Sequence, residues 1–486
     1  MRTLPLAAAV LVVGSWAAAT STLSGQVPAA DPLLVMGGRL WDGTGDSARP
    51  NPGILLENGT IRWMGATAGD RPAALPPGAR TLELPEDAFV MPGLFDLHAH
   101  YAVDLFGEGR VDEYTVNPVL FLANGVTSTF PAGEVDPAEA RRGRARIASG
   151  EIPGPRIYGS GPYWGTARPG WSHDAMTPDS IRKEATWWAL DGARGFKAKG
   201  IRPEQLEVVI DVAHQFGITV TGHLDSGFRN SVNPRDAILM GIDRIEHFMG
   251  GDALPGTQSA YASLENLDLD DAETADRVRN QAKLFLEHGA YFDATLTAYG
   301  YYADREPAVF DDWGDEMGFL TPYARAVVES HLPRTPLEQF RKIYYVKRRT
   351  VKVFHDAGGA DHLTLGTDHP SWGEFWSGFG AHRELHAIVL AGIPNAVALR
   401  AGTVNAARAM GVAERLGTVE TGKYADLYIV RGDPLTRITD TKKGMYVIRA
   451  GRVYEPSELF ASVQGRMGPA GETDADWWKG NTRLGR

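Results

Sequence analysis

Two histidines separated by one residue, His98 and His100, lie at the end of the apolar segment LFDLHAH. In a β-strand, alternate side chains point to the same side, so the two imidazoles would face one direction. Two imidazoles on one face form half of a metal site. Two hydrogen-bonded polar residues at a strand end would give the same pattern, so the pair alone leaves both interpretations open.

Four more polar residues end strand-like segments further along the chain. They are Lys197 in ARGFKAK, His223 in ITVTGH, His247 in IDRIEH and Asp368 in LTLGTD. Residues 197 and 223 are 26 apart and residues 223 and 247 are 24 apart, which is close to one strand, one helix and two short connections. A barrel of eight parallel strands gathers their C-terminal ends at one rim, where we expect these side chains to meet.

The elements that would position these residues follow an α/β pattern. After LFDLHAH come the strand-like segments GVTSTF, PRIYGSG, ARGFKAK, ITVTGH, DRIEHF, AYFDATLT and HLTLGTD, with helical patterns between them. The alternation predicts a (β/α)8 TIM barrel closed by right-handed crossovers. Residues from about 299 to 345 exceed a usual connection and predict helices over the rim.

The two ends of the chain have a different, β-type pattern. Short strands separated by Gly and Asn turns are predicted in LLVMGGRLWDG and GILLENGTIRWMG, and again in GKYADLYIVRG and KGMYVIRAGRVYEP. We expect both ends to form one small β-sandwich domain. The predicted organisation is a β-sandwich over 27–90 and 416–460, a barrel hydrolase domain over 91–415 and a C-terminal tail over 461–486.

The first 26 residues predict a secretory signal peptide, with a basic Arg2, an apolar run and then small residues. The run from Leu4 to Ala19 is shorter than the roughly 20 residues that span a bilayer, which favours cleavage over a membrane anchor. We therefore expect a periplasmic or secreted protein.

The composition excludes several classes of function. The 486 residues include no cysteine, so disulfides, thiolate metal ligands and a cysteine nucleophile are excluded. A net charge of −11 disfavours phosphate backbones and anionic membranes, so we expect no nucleic-acid partner and no membrane partner after signal cleavage. The absence of a GxSxG motif disfavours a serine hydrolase. The sequence leaves open whether the protein forms a homo-oligomer.

Several motifs together resemble those of the metal-dependent amidohydrolase superfamily. They are MPGLFDLHAH, the GFK lysine, GHLDSG, RIEHF, LGTDHP and GKYADLYIVRGDPL, so the likeness extends from about residue 33 to about residue 455. Within the superfamily the chain is most similar to the imidazolonepropionase-like and prolidase-like branch, which includes dipeptidases and other amide hydrolases. The resemblance also implies the barrel with its β-sandwich.

The resemblance implies a centre of two divalent metal ions. His98, His100 and Asp368 would bind the more buried ion, and His223 and His247 would bind the second. Imidazole and carboxylate ligands together suit Zn²⁺ or a similar divalent first-row metal.

Lys197 would serve this centre only after modification, because an ammonium group has no lone pair. In the resembled enzymes a lysine on the fourth strand is carboxylated by CO₂, and its carbamate bridges the metals; Lys197 matches that position. Lys199, which faces the same side of the strand, is the alternative, and an unmodified, salt-bridging lysine also stays open.

The predicted function is that of an exported hydrolase cleaving a C–N amide bond in a dipeptide, an N-acyl amino acid or a similar small amide. Two metals would deprotonate a bridging water near neutral pH, and Asp368 would act as general base and then general acid. The alternatives are a deaminase, a cyclic amide or lactone hydrolase on the same scaffold, and a non-catalytic scaffold protein.

Six further residues near the predicted strand ends are candidate substrate-binding residues. These are Tyr163, Arg168, His173, Tyr299, Tyr301 and His369. His382 and His386 stand four apart in AHRELH, the ligand spacing of a zinc-protease helix, but Glu384 is not where an HExxH motif needs it. That segment is therefore predicted to be a packing helix.

Overall fold

The structure is a computed structural model, which describes residues 30–104, 110–310, 316–331, 335–370 and 377–474. The predicted signal peptide and the last part of the tail lie outside the described residues. Among the helices that are described, none is both long and apolar enough to cross a bilayer.

The β-strands of the described residues are given in chain order. They are β1 (Leu33–Met36), β2 (Arg39–Leu40), β3 (Arg49–Pro50), β4 (Ile54–Glu57), β5 (Thr60–Met64), β6 (Arg80–Glu83), β7 (Ala88–Pro92), β8 (Leu94–Ala99), β9 (Ala102–Asp104), β10 (Arg110–Asp112), β11 (Val126–Pro131), β12 (Arg156–Ile157), β13 (Tyr163–Trp164), β14 (Gly195–Lys199), β15 (Thr219–His223), β16 (Arg244–Glu246), β17 (Tyr291–Asp293), β18 (Leu363–Thr364), β19 (Leu427–Arg431), β20 (Gly444–Arg449) and β21 (Arg452–Tyr454).

The α-helices of the described residues follow the same order. They are α1 (Asn117–Ala123), α2 (Pro137–Ala148), α3 (Pro178–Leu190), α4 (Pro203–Gln215), α5 (Pro234–Met240), α6 (Ala260–Glu265), α7 (Ala272–Glu287), α8 (Leu296–Gly300), α9 (Pro307–Phe310), α10 (Pro322–Glu329), α11 (Glu338–Asp356), α12 (Phe379–Leu390), α13 (Asn395–Ala401), α14 (Val404–Ala409) and α15 (Pro456–Val463).

Parallel strands alternate with helices from β8 to α14, which gives a mixed α/β fold. Each of the eight segments predicted to be barrel strands contains an observed strand: β8, β11, β12 and β14 to β18. The strands form two parallel sheets, ordered β12-β11-β8 and β13-β14-β15-β16-β17-β18. All six residues of β8 are buried, as expected for parallel strands covered on both faces.

Backbone hydrogen bonds connect the two parallel sheets at both of their edges. On one side Leu97 N donates to Leu365 O at 2.9 Å, and Asp368 N donates to His98 O at 2.8 Å. On the other side Arg194 N donates to Gly159 O at 2.8 Å. The end of β8 therefore lies beside the segment that follows β18.

Several helices begin with a proline, whose missing N–H is no loss in the first helical turn. In α2 the preceding Asp136 also caps the helix, because its side chain accepts hydrogen bonds from the backbone N–H groups of residues 138 and 139. One face of α4, which includes Leu206 and Val209, is buried, and the opposite face is exposed. This apolar face holds the helix on the sheet.

A small β unit is assembled from both ends of the chain. Its six-stranded sheet has the order β21-β20-β19-β7-β2-β3, and a four-stranded sheet has the order β5-β4-β1-β6. Apolar side chains of both sheets share one buried cluster, which includes Val35, Leu56, Val90, Leu427 and Ile448. The predicted pairing of the two termini is therefore present.

The described parts of the long segment after β17 are helical, as predicted. A buried ion pair between Glu316 of this segment and Arg383 of α12 fixes it to the rest of the fold. The chain near the C-terminus also contacts it, since Met467 N donates to Phe319 O at 2.8 Å. The second β segment ends with β21, and α15 follows it directly.

Candidate active site

Three of the predicted metal ligands meet where β8 ends and the segment after β18 begins. His98 Nε2 lies 3.2 Å from Asp368 Oδ1, and His100 Nε2 lies 2.7 Å from the same oxygen. Both imidazoles are buried. The strand alternation that the sequence analysis assumed thus places both histidines on the side of the carboxylate.

The other two predicted histidine ligands lie next to this group. The rings of His223 and His247 have centroids 4.0 Å apart, and the ring centroids of His98 and His247 are 4.9 Å apart. His223 ends β15, and His247 directly follows β16. The structure therefore brings all four imidazoles into one cluster.

Lys197 lies inside the same cluster. Its side chain is 1% exposed, and Nζ lies 3.5 Å from His98 Nε2. Lys199, the alternative, is less buried and pairs in register with His223 of the neighbouring strand. Lys197 thus lies in direct contact with one of the predicted ligands.

Asp96 ties the two sides of the cluster together. Its Oδ1 accepts hydrogen bonds from the N–H groups of His98 and Thr367, both at 3.1 Å, and its Oδ2 accepts the Thr367 hydroxyl at 2.6 Å. Burial raises the pKa of Asp96 to about 7, although these hydrogen bonds lower it. Asp96 therefore fixes the backbone that carries His98 and Asp368.

Sequence reasoning missed Glu246, which is fully buried in the cluster. Glu246 Oε2 lies 3.3 Å from His98 Nδ1 and contacts Lys197 Nζ, while Oε1 accepts the Thr221 hydroxyl at 2.9 Å. Its neighbour His247 has a φ of 66°, a left-handed conformation that is rare for a non-glycine residue. The turn lets two adjacent side chains reach one cluster, which regular strand alternation would prevent.

The environment sets the charges that the chemistry needs. Burial lowers the pKa values of His98, His223 and His247 well below the usual histidine value, so the imidazoles are neutral and keep lone pairs. Burial raises the pKa of Asp368, but the neighbouring His98 and His100 outweigh it and hold the value well below the ordinary range. Asp368 is therefore an anion.

Burial lowers the pKa of Lys197 well below that of an exposed lysine, and the nearby Lys199 charge lowers it further. The lowered pKa favours the neutral amine over the ammonium group. A neutral amine has the lone pair that reaction with CO₂ requires, whereas an ammonium group has none.

The donor atoms fit a divalent metal ion. In the described residues two sets each have donor atoms within 4.8 Å of one another: His98, His100 and Asp368, and His98, Glu246 and His247. His247 Nε2 is buried and has no hydrogen-bond partner among the described residues. Imidazole and carboxylate donors in this number suit Zn²⁺ and related metals.

Two of the predicted substrate-binding residues border the cluster. The ring centroid of Tyr299 lies 5.9 Å from that of His247. His369 is buried, and its carbonyl accepts the N–H of His100 at 2.8 Å. Burial lowers the pKa of His369 to about 3, so its ring is neutral.

Tyr163 is placed by its strand, since it pairs in register with Lys197. Its ring packs on Gly133, where an added Cβ would lie 2.3 Å from the ring. Gly133 therefore has no room for a side chain.

The remaining predicted substrate residues have contacts elsewhere. Arg168 forms a 2.8 Å ion pair with Glu184, and His173 Nδ1 lies 2.8 Å from the Gln205 side chain. Tyr301 packs in a separate apolar cluster beside the long segment, with Arg305 stacked 4.2 Å over its ring. A substrate contact of these three residues stays a prediction.

Comparison with known proteins gives one family and several similar folds. A model of the amidohydrolase family matches residues 89–453. No curated protein matches the sequence. Among solved structures, a Xaa-Pro dipeptidase with methionine bound in its active site is similar at a TM-score of 0.62 and 20% identity, over 87% of this chain and 100% of that chain.

Two further structures are similar over most of their length. A putative prolidase from Bifidobacterium longum has a TM-score of 0.63 and 22% identity, over 94% of this chain and 100% of that chain. Molinate hydrolase has a TM-score of 0.64 and 19% identity, over 91% of this chain and 98% of that chain. At these identities the likeness concerns the fold alone, and it identifies the α/β fold as TIM-barrel-like.

Proposed function

Since the chain belongs to the amidohydrolase family and is thus a hydrolase acting on C–N bonds, we propose that it cleaves a dipeptide, an N-acyl amino acid or a similar small amide at a two-metal centre. The observation that carries this proposal is the meeting of six predicted ligands from five different strands or strand ends in one cluster, in which four of the six are buried. The prolidase and dipeptidase folds support the substrate class.

The proposed ligands divide into two groups. His98, His100 and Asp368 would hold one ion, and His223 and His247, whose ring centroids are 4.0 Å apart, would hold the other. When bound, two divalent metals, which we propose to be Zn²⁺, supply the Lewis acidity that makes water acidic and polarises a carbonyl. The neutral imidazoles provide lone pairs for this without first losing a proton.

Asp368 is the proposed proton carrier. It is anionic and lies between two imidazoles, so it accepts the proton of the attacking water at a carboxylate oxygen. It returns that proton to the departing nitrogen, since an amine leaves more readily than an amide anion. Tyr299 and His369 border the cluster and exclude bulk water from that transfer.

We propose further that Lys197 is carboxylated: its neutral amine would add to CO₂ and release one proton to solvent, and the resulting carbamate would let Lys197 help to hold the metals. Its support is the position of Lys197 in the cluster together with the lowered pKa of its amine. The contact with Glu246 favours a second candidate, in which Lys197 stays an ammonium ion paired with Glu246 and the centre holds one metal. Mass spectrometry under native conditions separates the two, because the carbamate adds the mass of CO₂.

The barrel closure and the localisation of the protein are proposed on separate grounds. We propose that the two parallel sheets close as a (β/α)8 barrel, supported by the hydrogen bonds at both of their edges, and that the terminal sheets form a β-sandwich. Export follows from the N-terminal pattern, and sequencing the N-terminus of the mature protein tests it.

Metal content and a substrate screen test the function. Protein produced with added zinc should hold close to two metals per chain and hydrolyse members of a panel of dipeptides, N-acyl amino acids, lactones and cyclic amides. Asp368→Asn should bind metal but lose turnover. Protein that holds no metal after such loading would refute the proposal, and ammonia release from an aminated ring would favour the deaminase.

A further inference from the structure

A buried lysine, Lys347, stands on the apolar face of α11. The buried residues Ile343, Lys347, Val351 and Phe354 follow at helical spacing, so an amine replaces an apolar group in the middle of this face. Its exposure is only 1%. A buried amine is costly unless it has polar partners, so its contacts indicate its role.

Those contacts lead to the loop that supports His247. Lys347 Nζ lies 3.4 Å from the Thr295 carbonyl oxygen and 3.5 Å from Thr295 Oγ1. Nζ also lies 3.5 Å from the centre of the Tyr299 ring, a cation–π arrangement. The lysine thus spans from the long helix to the wall of the candidate active site.

Thr295 is held in an unfavourable backbone conformation. Its φ of 47° lies in the left-handed region, which is uncommon for a β-branched residue. The next two residues are fixed from a second helix, because Glu384 of α12 accepts the N–H groups of Leu296 at 2.7 Å and Thr297 at 2.8 Å. Strain that neighbouring structure maintains in this way is typical of functional sites.

The Thr295 hydroxyl contacts one of the two nitrogens of the His247 ring. Thr295 Oγ1 lies 2.6 Å from His247 Nδ1 and donates its single hydrogen to the Ala294 carbonyl at 2.8 Å. With that hydrogen used, Oγ1 accepts hydrogen bonds from His247 Nδ1–H and from Lys347. His247 is then the tautomer whose Nε2 has a lone pair.

We infer that Thr295 and Lys347 are positioning residues, which hold His247 as the Nδ1–H tautomer with Nε2 directed at the metal centre. This inference rests on the proposed function, because it takes His247 to be a metal ligand. His247 Nε2 has no partner among the described residues and is next to the His223 and His98 rings. Groups that orient a ligand in this way commonly change metal affinity by about 10- to 100-fold when removed.

The test uses substitutions in the full-length chain. Thr295→Val keeps the shape and removes the acceptor, so zinc affinity, measured by competition with a chromogenic chelator, should fall about 10- to 100-fold. Thr295→Ser restores the hydroxyl and should restore affinity. Lys347→Met should weaken binding in the same direction. Thr350→Val is the matched control, because its buried hydroxyl donates to the Lys347 carbonyl and has no link to His247.

Nitrogen-15 NMR of the histidine side chains, with His247 assigned by comparison with His247→Gln, reads the tautomer directly. We expect Nδ1–H in the metal-free wild-type protein and a mixture of tautomers in Thr295→Val. Nε2–H in the wild type, or unchanged zinc affinity in Thr295→Val, would overturn the inference and leave the two-metal proposal standing. A wild-type protein that binds no zinc would instead refute the proposed function, and its NMR spectrum would still test the tautomer.

Discussion

Glu246 gives the sharpest test of the cluster, because nothing in its sequence position suggested a role. Its carboxylate is fully buried, accepts the Thr221 hydroxyl and lies 3.3 Å from His98 Nδ1. A carboxylate beside Nδ1 holds the imidazole in place with its Nε2 toward Asp368. Glu246→Ala removes this carboxylate, and Glu246→Gln keeps the shape while removing the charge.

The expected size of the effect follows from the loss of a group that orients a metal ligand. Removing such a group commonly lowers metal affinity by about 10- to 100-fold, and a tenfold change in a binding constant corresponds to about 1.4 kcal/mol. Zinc affinity should therefore fall by about 10- to 100-fold in Glu246→Ala and by less in Glu246→Gln. The kcat/KM value should fall in the same order.

Chelator competition measures the zinc affinity, and thermal melting of the metal-free proteins reports on the fold. The matched control is Glu316→Gln, which neutralises another buried carboxylate, the one paired with Arg383 of α12. This control should lower the melting temperature and leave zinc affinity within about threefold, because it contacts no proposed ligand. Wild-type zinc affinity in Glu246→Ala would refute the assigned role of Glu246.

Three further outcomes are expected. Asp368→Asn should lower kcat by about 10²- to 10⁴-fold with the zinc-loaded fold intact, since a positioned proton carrier contributes about that much; retained turnover would remove Asp368 from that role. Lys197→Ala should lose activity that a short carboxylic acid and added zinc partly restore. If Lys199→Ala behaves in this way instead, the carbamate is assigned to Lys199. Burial lowers the pKa of His382 to about 3, against about 6.5 in the unfolded chain, so the unfolded chain takes up the proton first. The free energy of unfolding should fall as the pH is lowered from 6.5 to 3. Denaturant titrations at several pH values measure it, and a His382→Gln variant with the same pH dependence as the wild type would contradict this prediction.

The sequence was sufficient to predict the α/β alternation and the meeting of the proposed ligand side chains, for a physical reason. His98 and His100 end an apolar strand, and the ends of parallel strands meet at one edge whatever the helices between them contain. The amidohydrolase resemblance is confirmed by the family model. Pairing of the two ends was predictable because both have period-two patterns and turn residues.

The residues that sequence reasoning missed depend on local backbone geometry or on distant contacts. Glu246 precedes His247, and regular alternation would have pointed the two side chains to opposite faces; only the left-handed turn at His247 prevents it. Lys347 was recognisable as a lysine on the apolar face of an amphipathic helix. The sequence does not show which loop this lysine contacts. Glu384, in the segment predicted to be a packing helix, serves as the anchor of the Thr295 loop.

The shared terminal sheet has a consequence for the order of folding. Strand β7 lies between β2 and β19, with Phe89 opposite Val430, so one of its edges has no partner until almost the whole polypeptide has been synthesised. Contacts this distant in sequence form slowly, and an unpaired strand edge is prone to join other chains in the meantime. A nascent chain that stalls before residue 427 therefore exposes this edge directly beside the strand that carries His98. We expect chaperones to bind the exposed edge.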